Sequence, residues 1–115
     1  MKILRLDASA ADRIGPRPFD VKLTSALEVA AGSGEAHVYV LYFEPGGEIG
    51  PHEAGFAQFL FAIAGNGWVA GEDGVRRPLV EGDAAFISRG EQHSKGSETG
   101  LTALMIQVRD LAPVA

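Results

Sequence analysis

Glycine punctuates this chain at intervals that leave room for short strands and little else. Fifteen glycines and six prolines fall within 115 residues. From His37 onward they separate runs rich in β-branched and aromatic residues. His37 to Phe43 is one such run, stopped by Pro45-Gly46-Gly47. Gln58 to Ala64 is a second, stopped by Gly65-Asn66-Gly67. Trp68 to Ala70 and Val75 to Leu79 flank Gly71-Glu72-Asp73-Gly74, which reads as a hairpin turn. Ala84 to Ser88 and Leu101 to Val108 complete the series. Strands at this spacing, joined by glycine turns, predict an all-β sandwich or barrel.

Residues 1–35 give weaker signals. Lys2 to Leu6 alternates polar and apolar side chains, as a short strand does. Asp12 to Pro18 contains Gly15-Pro16 and Pro18 and reads as extended or turned. Lys22 to Ala31 fits a strand or a short helix, ended by Gly32-Ser33-Gly34.

A chain of this length fits one domain with a core of its own. The expected division is an N-terminal arm, 1–35, packed on the barrel or on a dimer partner, and a barrel at 36–110. No apolar run approaches the ~20 residues that span a bilayer. The early charges Lys2, Arg5 and Asp7 do not resemble a signal peptide, so a cytoplasmic protein is expected. Absence of cysteine excludes disulfides, thiolate ligands and a thiol nucleophile. A net charge of −5 with scattered basic residues argues against nucleic acid as the partner.

The run from Phe59 to Ala64 is apolar on both faces, whereas a half-exposed antiparallel strand should alternate. Something must cover Phe59, Phe61 and Ile63. A second copy of the chain would do so, hence an expected homodimer; the N-terminal segment of the same chain would do so as well.

Two histidines lie inside two glycine patterns. The first runs Gly46, His52, Gln58, Gly65; the second runs Gly82, Gly90, His93. Together these resemble the paired motifs of the cupin family, over roughly residues 36–108. The family's first motif places a second histidine where Ala54 stands and a glutamate where Gln58 stands. Its second motif has proline and asparagine where this chain has Ser88 and Ser97. The phrase Leu79-Val80-Glu81-Gly82-Asp83-Ala84-Ala85-Phe86-Ile87 is similar to the family's approach to its last ligand. The resemblance implies a double-stranded β-helix, or jelly-roll barrel. Its implied metal set is His52, Gln58 and His93, around a divalent ion such as zinc, nickel, manganese or iron.

Strand parity gives a related expectation. His52, Ala54, Gln58, Leu60, Ala62 and Ala64 share parity and would face one interior if the strand were regular. The small residues Ala54, Ala62, Ala64 and Ala84 would then leave space for a ligand. A neutral His-Gln-His set is a weakened one, and Glu48, Glu53 and Glu91 lack a ligand's spacing. His37 fits neither motif and reads as structural or surface. No nucleophile elbow, hydrolase triad or phosphate cradle is present. Beside a purely structural dimer module, two readings stay open. One is a small-molecule barrel around a weakly held metal, acting as an oxygenase, isomerase or decarboxylase. The other is a metal-free barrel that binds a small molecule as a sensor or carrier.

Overall fold

Side-chain alternation is clearest on the last strand, β10 (Leu101–Pro113), in the computed structural model, which describes residues 1–15 and 17–114. Pro16, part of the turn expected at 12–18, lies outside the described residues. On β10, Leu101, Ala103 and Met105 are buried, while Thr102, Leu104 and Ile106 face the other side and are half-buried. The strand pairs antiparallel with β4 (Ala30–Phe43) along one edge and β6 (Ala57–Ala70) along the other. β6 also pairs with β8 (Asp83–Ile87), and β8 with β1 (Lys2–Arg5), giving the order β1-β8-β6-β10-β4.

A second wall closes over this one. It contains β5 (Glu48–Glu53), β9 (Gln92–Gly96) and β7 (Arg76–Val80). β9 pairs with β5 on one side and with Trp68, Val69 and Ala70 of β6 on the other; the same end of β6 also pairs with β7. A separate ribbon joins β2 (Asp12–Arg13) to β3 (Ser25–Ala26). Between the walls lies one apolar core that includes Leu60, Val69, Leu79, Ala85, Leu101 and Ala103. Each fully buried leucine there contributes about 1.5–3 kcal/mol.

Three expectations need correction. β6 does not stop at Gly65-Asn66-Gly67 but runs through it. The glycines serve close approach and a bend: a Cβ on Gly65 would meet Gly100 O at 2.3 Å, and one on Gly67 would meet Leu101 Cδ2 at 2.5 Å. Gly65 also has φ +86°, and the β6–β10 register shifts beside it, between Thr102 and Ala103. Second, β5 and β6 are separate strands, so the parity shared by His52, Ala54 and Gln58 is not that of one regular strand. Third, of the four small residues, Ala54 and Ala62 are buried, Ala64 is exposed, and Ala84 stands in the row of Phe61, on the outer face.

The outer face of the first wall is apolar across five strands. One row runs Val40, Leu104, Phe61, Ala84, Leu4; the next runs Val38, Ile106, Phe59, Phe86. Phe59 is buried against Phe61 and Phe86, at ring separations of 5.7 and 5.1 Å. Leu27, Val29 and Leu111 line the groove beside it. Toward the other end of the face the cover runs out: Val38, Tyr42 and Ile63 are 62%, 77% and 47% exposed.

The bend in β6 makes a direct prediction. Gly65→Ala places a side chain against Gly100 O and forces a non-glycine residue to positive φ, a strain of about 1–3 kcal/mol or more. The melting temperature should fall by roughly 5–15 °C. Gly55→Ala, where a Cβ meets nothing within 4 Å, should melt within a few degrees of wild type. Equal melting of the two variants would refute the role given to Gly65.

Candidate functional site

Polar side chains gather at one end of the barrel's inner face because of strand register. Across the first wall, the row beside the apolar core reads His37, Gln107, Gln58, Ile87. Across the second wall, His52 of β5 stands opposite His93 of β9. Their rings lie 4.4 Å apart, centroid to centroid, and are tilted by 54°. His52 is exposed and fixed by its Nδ1 to Gly50 O at 2.8 Å; His93 is buried. Gln58, on β6, is 2% exposed.

The residue that connects these groups is one the motif reading passed over. Lys95 is two residues beyond His93 on β9, so it points to the same face. It is 2% exposed. Its Nζ donates to Gln58 Oε1 at 2.8 Å, faces His93 Nε2 at 3.3 Å and lies 3.6 Å from Met105 Sδ. An ammonium has three N–H donors, and here each has a neutral acceptor. The geometry also fixes the His93 tautomer. Nε2 accepts from Lys95, so Nδ1 carries the hydrogen and faces Glu91 O at 3.3 Å.

Among the described residues, no carboxylate balances this cation: none forms an ion pair with Lys95. Glu48 pairs with Arg76 at 3.3 Å on the surface, and Glu53 is exposed. Glu91 binds the Met1 ammonium and accepts from Ser88 N at 3.0 Å. Partial burial pulls the Glu91 carboxyl upward, but those two bonds outweigh it and hold its pKa below the usual value. Burial without a counter-charge lowers Lys95 from 10.5 to about 8. Burial first, then the neighbouring Lys95 charge, lowers His93 from 6.5 to about 4. At neutral pH, His93 is therefore an uncharged imidazole and Lys95 is mostly ammonium.

Of the residues expected to hold a divalent ion, Gln58 and His93 thus meet at a lysine, and His52 stands against the His93 ring. The donor chemistry does not suit such an ion. The amide oxygen of Gln58 is engaged by an ammonium, and a positive charge faces the ring nitrogen that would bind metal. Among the described residues, no group of three or more His, Cys, Asp or Glu side chains is arranged to hold one. Ala54, at the position of the family's second histidine, is 3% exposed and contributes no donor. His37 lies outside the cluster: it pairs with Glu35 at 2.6 Å and stacks near Tyr39 and Phe56.

No family model matches the sequence, and no curated protein matches it significantly. Solved structures do resemble the fold. A cupin-like protein from Thermotoga maritima superposes with a TM-score of 0.63 at 20% identity, covering 82% of both chains. An RmlC-like cupin from Shewanella frigidimarina gives 0.60 at 20% identity, over 86% of this chain and 82% of that one. A cupin superfamily protein from Desulfitobacterium hafniense gives 0.61 at 15% identity, over 83% and 94%. At these identities the likeness speaks for architecture alone. Together with the two facing walls and the strand order above, it identifies the fold of this chain as the cupin double-stranded β-helix.

Proposed function

We propose that this protein is a metal-free cupin that binds a small carboxylate at the polar end of its barrel, with Lys95 as the fixed cation. The observation that carries this reading is the ammonium itself: three neutral acceptors around one buried positive charge. Burying a charge without a counter-charge is costly, and an incoming carboxylate offsets that cost. Gln58 keeps the site receptive. A glutamate there would pair with Lys95 and leave no demand for an anion.

The reading is tested by thermal shift at pH 7 with acetate, oxalate and succinate as probes, beside zinc, nickel, manganese and iron(II). At ~100 times its Kd, a bound carboxylate stabilises the fold by about 2.7 kcal/mol, a rise of several degrees. Wild type should respond to a carboxylate and not to metals, and Lys95→Met should lose the response. Lys95→Ala, which removes the ammonium from His93 Nε2 and Gln58 Oε1, should gain a response to zinc. Stoichiometric metal in purified wild type, lost in His52→Ala and His93→Ala, would instead support the weakly held metal.

The depressed Lys95 pKa sets a pH window. Between about 8 and 10.5 the unfolded chain holds a proton that the folded chain does not, so stability rises with pH across that range. Below it, the cost of the buried ammonium is fully present. Lys95→Met should abolish the alkaline rise, which is worth up to about 3 kcal/mol. His93 acts at the acid side: stability should fall as pH drops from 6.5 to about 4, and His93→Gln should flatten that fall. Urea unfolding across pH 4–10.5 measures both; parallel wild-type and variant curves would contradict the burial of charge at this site.

The outer face supports a second copy of the chain as partner. Val38, Val40 and Tyr42 lie on β4, at the end of the strand order, where its free edge can pair antiparallel with its own copy about a two-fold axis. Large exposed apolar patches on soluble chains mark interaction sites. Light scattering should give a dimer for wild type and a monomer for the double variant Val38→Lys, Val40→Lys. A monomeric wild type at micromolar concentration would refute it.

A further inference from the structure

We propose that the outer face of the first wall carries a second binding site, for a free, unbranched, medium-chain monocarboxylate. Its carboxylate pairs with Arg89, and its alkyl chain lies between that face and the end of the β4–β10 ribbon. The site is on the opposite side of β6 from Gln58 and uses none of the polar groups inside the barrel.

A bulge builds the groove. The β4–β10 pairing slips between Val108 and Asp110, which leaves Arg109 as the extra residue. Gly34 stands beside it at φ +95°, where a Cβ would lie 3.1 Å from Arg109 Cβ. Past the bulge the ribbon continues as residues 30–33 against 110–113. With Ala57 and Phe86 of the outer face, this end of the ribbon encloses a groove of about 590 Å³. A second groove of about 400 Å³ adjoins it, lined by Phe59, Phe61 and Ile106. Ala31, Gly32 and Leu111 line both, and Phe59 of one packs on Phe86 of the other at 5.1 Å. Phe61, Phe86, Ile106 and Leu111 are only half-buried, so apolar surface remains open to water. From Ala57 to Phe61 the floor runs about 13 Å along β6. An extended chain of about ten carbons, with bonds of about 1.5 Å, has that length.

Charge sets the direction of the chain. Arg89 and Arg109 line the first groove, together with Ser33 and Ser88; the second has no basic group and ends beside Glu28. Arg109 is engaged by Glu35 at 3.1 Å. Arg89, among the described residues, has no hydrogen-bond or ion-pair partner. Its guanidinium offers a fork of donors that matches a carboxylate. Asp110 lines the same groove, so the mouth suits a single negative charge and disfavours a dianion. The net charge of −5 opposes docking of the whole chain on an anionic bilayer, which leaves a free acid as the occupant.

The test is calorimetric titration of the full chain at pH 7 with hexanoate, octanoate and decanoate, beside decan-1-ol. Affinity should rise roughly two- to fourfold per added methylene. Arg89→Gln should weaken decanoate about tenfold and leave decan-1-ol unchanged. Ala31→Trp fills the groove from an exposed position and should weaken both ligands tenfold or more, with melting curves confirming that each variant is folded. Methyl NMR locates the ligand: decanoate should shift Ala31, Ala57 and Leu111. Shifts confined to Ala62 and Met105 would place it inside the barrel and overturn the proposal. So would no binding of decanoate, an affinity flat across the series, or an Arg89→Gln variant that binds decanoate as wild type does. Binding seen only in the Val38→Lys, Val40→Lys variant would show that a second copy of the chain occupies the groove, which also overturns it.

Discussion

β6 has to turn over, and the site exists because it does. Gln58 lies near the start of β6, and Lys95 is in register with Val69 near its end. Eleven residues of straight strand would hold those positions about 36 Å apart. Yet Lys95 Nζ reaches Gln58 Oε1 at 2.8 Å. A lysine side chain spans only about 6 Å of such a gap, so the bend around Gly65 and Gly67 supplies the rest. The two glycines are there because neighbouring atoms come within 2.3–2.7 Å of where a Cβ would be. Gly65, Gly67, the register shift opposite Thr102 and the lysine–glutamine contact are thus parts of one geometric fact.

The same bend explains why the electrostatics of the site are unusual. It brings β9, with His93 and Lys95, over the inner face of the first wall, where Met105 and Leu60 belong to the apolar core. A charge carried into that setting loses water and gains only what its neighbours offer. Gln58, His93 and Met105 offer lone pairs and no charge. The outcome is an amine whose proton is easily lost and an imidazole that resists taking one up.

The strands with branched and aromatic residues were legible in the sequence, because their composition and the pleat make the same demand. So was the convergence of His52 with His93, which the resemblance implied and the β5–β9 register provides. Two site-bearing strands were not marked. β5 reads Glu-Ile-Gly-Pro-His-Glu, but it has a partner on one edge only, where proline is tolerated. β9 reads Gln-His-Ser-Lys-Gly, polar throughout and nearly all buried, so hydrophobic periodicity had nothing to register. Lys95 was missed for the same reason, though its two-residue offset from His93 was a usable signal once His93 was placed on a strand. The continuation of β6 was hidden because glycine signals a turn and a close approach with the same letter.

The substitution of glutamine for the family's glutamate takes its meaning from that missed lysine. Considered alone, Gln58 weakens a metal site by removing its only anion. Considered with Lys95, it does something else. A carboxylate at position 58 would form a buried ion pair, hold the lysine protonated and close the site to anions. An amide oxygen accepts the same hydrogen bond but leaves the charge unbalanced and the amine pKa low. The pair therefore keeps the ammonium in place without neutralising it. That favours a ligand able to supply the negative charge itself.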